Sequence, residues 1–137
     1  MEKLKEIKFI AVIVAALVNH FMGFAWYAAL FGERWALLTN TPMDQANESM
    51  VMPIIGAIVF HLFTATGIAY LLRITKTSGI VDGLKFGVVL SLTFAIPMNI
   101  AKLLWQSKPE LFMIDASIAV IGILVMTSII STWQKFE

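Results

Sequence analysis

The sequence contains no cysteine. That removes disulfides, thiolate metal ligands and a cysteine nucleophile together. It is also poor in charge. Only 14% of its residues are Asp, Glu, Lys or Arg, against about 25% in soluble domains. The formal net charge is +1, and no dense basic patch exists, so the chain offers no electrostatic footprint for nucleic acid. No CxxCH, HExxH or paired-acid motif points to an enzyme or to a built metal site. What fills the 137 residues instead is apolar: 59% are hydrophobic, and the mean hydropathy is +0.84. Such a chain cannot cover itself with polar surface, so an integral membrane protein is expected.

Four runs are long enough to cross a hydrocarbon core of about 30 Å, which takes about 20 residues. They extend from Phe9 to Phe31, Val51 to Leu72, Ile80 to Leu104 and Leu111 to Trp133. Lipid cannot satisfy free backbone groups, so each run should be helical. Short links make consecutive helices antiparallel neighbours. The expected fold is thus all-α, a single four-helix transmembrane domain over residues 1–137 with up-down topology. The first run is too long for a signal-peptide core and ends in bulky aromatics, so it reads as an uncleaved span. The one long link runs from Gly32 to Met50. Thr41-Pro42-Met43-Asp44 resembles a helix start, so a short interfacial helix is expected from Pro42 to Ser49.

Cationic residues set the orientation. Lys3, Lys5 and Lys8 precede span one; Arg73, Lys76 and Lys85 flank the second link; Lys135 follows span four. The other side carries Arg34, Lys102 and Lys108. Both termini are therefore expected in the cytoplasm. Trp26, Tyr27, Trp35, Trp105 and Trp133 sit at span ends, where aromatic rings anchor the water–lipid boundary.

Within the third span, Gly83, Gly87, Ser91 and Ala95 recur every fourth residue and continue to Asn99. Small residues at this spacing form a smooth face for close helix contact; the alternative is a face that lines a cavity. Pro97 cannot donate to the Thr93 carbonyl, so a kink is expected.

The candidate polar site draws on Asn19, His20, Tyr27, His61, Asn99, Lys102 and Asp115. Lys102 and Asp115 flank the short third link at matching depth. They read either as an interfacial ion pair or as a polar mouth for a solute or proton. Asp82 and Lys85 form an i, i+3 pair at a solvated helix start. His20 lies about 15 Å along span one at ~1.5 Å per residue, and His61 lies about as deep in span two. The two imidazoles can serve as interhelical hydrogen-bond glue. They can also bind a substrate, a proton, a metal or a haem, although no cofactor is required by any motif.

The stretch Phe21-x-Gly23-x-x-Trp26-Tyr27-x-x-Leu30-Phe31-Gly32-x-x-Trp35 resembles the bacterial membrane family known as domain of unknown function 1761. Lys108-Pro109-Glu110-Leu111-Phe112-Met113-Ile114-Asp115 and the closing Trp133 extend the resemblance over nearly the whole chain. Glu33-Arg34 departs from it, since the family shows a lone Lys there. The resemblance implies four helices in a bacterial inner membrane and carries no activity with it. The chain is also similar to small multidrug transporters in size and span number, but lacks their membrane-embedded Glu in span one. Expected roles are binding or transport of a small or lipophilic compound by a homo-oligomer in the lipid bilayer. The rivals are a redox module holding haem or quinone between His20 and His61, and a structural subunit of a larger complex.

Overall fold

The computed structural model describes residues 7–41 and 51–134. Among them the chain is entirely helical, with no strand. Helix α1 spans Phe9–Leu30 and α2 Gly32–Thr39. Helix α3 spans Val51–Ile74, α4 Ile80–Leu104 and α5 Pro109–Trp133. All but α2 are long and apolar enough to cross a membrane. Their bounds differ from the sequence expectation only at the ends. Helix α5 starts two residues early because Pro109, which has no N–H to leave unbonded, fits a first helical turn. The helix expected over Pro42–Ser49 lies outside the described residues. Within the described part of the link, α2 ends at Asn40 in a left-handed conformation (φ 55°), where Asn is tolerated.

Two helices contain a π-helical turn. In α1 it covers Trp26–Leu30, closed by the Phe31 N–H donating to the Trp26 carbonyl at 2.9 Å. In α4 it covers Ser91–Ala95, separated from Pro97 by Ile96 alone. Removing the proline N–H breaks the regular bonding ladder at this point, and the widened turn is how the helix accommodates it.

Helix α5 is central. It packs along α4, against α1, and more lightly against α3. The core joins Val12, Ala15 and Ala16 of α1 to Ala65, Ile68, Ala69 and Leu72 of α3 and to Met126 and Ile130 of α5. The alanines matter because small side chains let apolar helices approach closely. The α4–α5 contact is closer still. A Cβ added at Gly83 would lie 2.8 Å from Ser131 Cβ and 2.9 Å from the Thr127 carbonyl oxygen, and one at Gly87 would collide with Thr127 Oγ1. Ser91 and Ala95 are buried on the same face. Gly79 (φ 85°) turns the chain between α3 and α4, and its N–H donates to the Ser131 carbonyl at 2.9 Å.

Helices α3 and α4 barely touch. Between them lies an apolar cleft of about 210 Å³ lined by Gly67, Ile68, Leu71, Leu90, Phe94 and Ile123. Large apolar side chains stand outward around the helices, among them Phe60, Phe63, Met98 and Trp105. Exposed apolar surface on this scale calls for a lipid or protein covering.

Candidate functional site

The candidate polar residues divide into three groups. Asn19 and His20 are sequence neighbours but point about 100° apart around α1, because a helix turns once per 3.6 residues. Asn19 is buried against α5, where a Cβ on Gly122 would lie 3.2 Å from its Cγ. Gly122 thus makes room for a polar side chain, a role that its apolar surroundings in the sequence did not signal.

His20 faces α3. Its ring meets that of His61 with centroids 5.7 Å apart and planes at 65°. Contact is edge to face, and His61 Nδ1 is buried without a hydrogen-bond partner. Both rings are half-buried. Phe21 adjoins His20 at 5.8 Å, and Phe60 adjoins His61 at 6.0 Å. The result is a row of four rings across α1 and α3, with 66% of Phe21 and 65% of Phe60 exposed at its two ends. A neutral imidazole has one donor and one acceptor. The pair can therefore offer both to a molecule that reaches it. Among the described residues no group of three or more His, Cys, Asp or Glu gathers for a metal ion.

The third group closes the end of the bundle nearest α2. The Tyr27 hydroxyl donates to Asp115 Oδ1 at 2.7 Å. Lys102 Nζ lies 2.7 Å from Asp115 Oδ2 and donates to Asn99 Oδ1 at 2.5 Å. Asn99 Nδ2 in turn donates to the Ala95 carbonyl at 2.9 Å. The Asp115 side chain is only 12% exposed, so its charge stands in a largely dry setting where pairing offsets the cost of burial. The phenol, carboxylate, ammonium and amide form one continuous chain of polar contacts that ends on the Ala95 carbonyl.

Around this chain the ends of several helices are pinned together. Trp26 Nε1 donates to the Ile114 carbonyl at 3.1 Å, and Trp35 meets Tyr27 edge to face at 5.6 Å. Arg34 grips Glu110 through two bonds of 2.5 Å, and Lys108 Nζ donates to the Leu38 carbonyl. Two of the residues expected as interface anchors, Trp26 and Trp35, are thus half-buried and take part in inter-helix contacts. Trp105 and Trp133 stand exposed at opposite ends of the bundle. The Arg34–Glu110 pair was missed in the sequence, although opposite charges flanking the same end of the bundle were a usable signal. Asp82 and Lys85 pair at 3.0 Å in an exposed setting.

Comparison with known proteins adds a family. Residues 10–131 match the one described as protein of unknown function (DUF1761). No curated protein and no solved structure matches.

Proposed function

We propose, for a chain that belongs to the DUF1761 family, a membrane protein that holds a small lipophilic compound against His20 and His61. One observation carries this reading: two imidazoles 5.7 Å apart, with His61 Nδ1 buried and unpartnered. A buried polar atom without a partner costs free energy, and no water replaces the lost bond inside a bilayer. A ligand that bonds to this pair would recover that cost. The polar group around Asp115 already satisfies itself, which favours a structural role for it over a second binding site.

In this reading the four long helices run up and down through a bacterial inner membrane with both termini in the cytoplasm. The cationic residues before α1 and between α3 and α4 support that orientation. Helix α2 then lies along the outer interface. A single copy encloses little volume, and the cleft between α3 and α4 is open, so a path for transport would be completed by a homo-oligomer. A redox module is the second reading, because two imidazoles on neighbouring helices are a suitable ligand pair for haem.

Purification in mild detergent tests these readings together. Bound small molecules, native particle mass and the absorbance spectrum would be compared between the wild type and His61→Phe. A lipophilic compound that is present in the wild type and depleted in the variant supports the binding reading. A haem band lost in the variant would replace it with the redox reading. Identical small-molecule contents in both proteins would overturn both.

A further inference from the structure

We infer that the compound held at His20 and His61 belongs to the quinone and quinol class, a flat ring bearing carbonyl or hydroxyl groups, and that it enters sideways from the lipid between Phe21 and Phe60. The inference rests on the reading that this pair is the binding site, and it names the chemistry of the occupant.

Three features select that class. The first is the pairing of one donor and one acceptor in neutral imidazole. A quinone carbonyl accepts from an imidazole N–H, and a quinol hydroxyl donates to an unprotonated ring nitrogen. Both forms therefore match the same two side chains. The second is the row of rings. Phe21, His20, His61 and Phe60 follow one another at 5.8, 5.7 and 6.0 Å, and each contact is edge to face, so the rings offer faces to a further planar group. The third is the direction of access. The two phenylalanines at the ends of the row are about two-thirds exposed, and the helices that carry them are long and apolar enough to cross a membrane. A molecule reaching this row comes from lipid. The surroundings also disfavour a charged occupant: among the described residues no acidic or basic side chain pairs with either imidazole, and an ion without a counter-charge is costly in an apolar setting.

The test is equilibrium binding to the full chain in phosphatidylcholine nanodiscs. The probes are a decyl-tailed benzoquinone and the analogue in which both carbonyls are replaced by methoxy groups on the same ring and tail. The quinone should bind saturably, and the dimethoxy analogue about tenfold more weakly, the scale of losing one well-made hydrogen bond. His61→Phe should weaken quinone binding by a similar factor. That probe comparison needs only the wild-type protein, so the test survives a variant that fails to fold. Equal binding of the two probes, or quinone binding unchanged in His61→Phe, overturns the inference. If quinone fails while a co-purified compound of another class still depends on His61, the quinone class falls and the binding site stands. If neither quinone nor any co-purified compound responds to His61→Phe, both fall.

Discussion

The hydroxyl of Tyr27 donates a 2.7 Å hydrogen bond to Asp115, 88 residues further along the chain. It joins the last turn of α1 to the first turns of α5. Because Lys102 holds the other carboxylate oxygen, three helices meet at one side chain. Tyr27→Phe removes the donor and leaves the packing. Bonds to charged groups contribute about 1.5–3 kcal/mol, and the slight exposure of Asp115 places the expected loss near the lower end. A double-mutant cycle with Asp115→Asn should show coupling of at least about 0.5 kcal/mol, as residues in one network do. Additive losses in thermal stability would mean that the bond contributes nothing.

Much of this arrangement could be read from the sequence. The spans follow from apolar run length. The Lys102–Asp115 contact follows from matching depth across a short link. The Tyr27–Asp115 bond was not legible, and the reason is local. A π-helical turn over Trp26–Leu30 inserts an extra residue into the helical repeat and rotates what surrounds it. A face count at 3.6 residues per turn cannot register that insertion, so Tyr27 read as an interface anchor as well as a candidate polar residue. The turn at Ser91–Ala95 was hidden for the same reason, although Pro97 marked its neighbourhood. Asn19 was legible as a candidate polar residue but not as a partner of Gly122, because that requires knowing which face of α1 meets α5.

The α4–α5 contact yields a packing prediction. A side chain at Gly87 meets Thr127 and Leu124 at once, whereas Val88 and Val89 are about half exposed on the far side of α4. Gly87→Leu should therefore lower stability by about 1–3 kcal/mol or more, while Val88→Leu and Val89→Leu should change it by less than about 0.5 kcal/mol. Melting of the three variants in the same detergent decides the matter. Equal melting temperatures would place the glycine face against lipid.

Orientation can be measured cleanly because the chain has no cysteine. Thr41 follows α2 and Ser78 lies between α3 and α4, and both are exposed. Single cysteines at these positions would be probed in intact cells with an impermeant thiol reagent. With cytoplasmic termini, Thr41→Cys should label from outside and Ser78→Cys only after the membrane is opened. The reverse pattern would refute the proposed orientation.

The His20–His61 pair separates structural glue from a ligand site through the sign of a stability change. If the imidazoles hold the helices together, replacing either should cost a modest amount, since interhelical hydrogen bonds in membranes average roughly 0.6 kcal/mol. The geometry argues for the opposite sign. The rings meet edge to face, and His61 Nδ1 is buried with no partner, so the ligand-free protein bears the cost of an unsatisfied polar atom, about 1–3 kcal/mol. His61→Phe keeps a flat ring of similar width and removes that atom. It should leave the ligand-free protein as stable as the wild type or raise its stability by up to about 1 kcal/mol, since the larger ring recovers only part of the cost. His61→Asn retains an amide that bonds without filling the ring's volume, and should fall below both. Thermal melting after exhaustive delipidation, followed by re-addition of the co-purified compound, provides the comparison. The compound should raise the melting temperature of the wild type and leave His61→Phe unmoved. A destabilised His61→Phe that still responds to the compound would assign the pair to helix packing and move the search for the ligand to the cleft between α3 and α4.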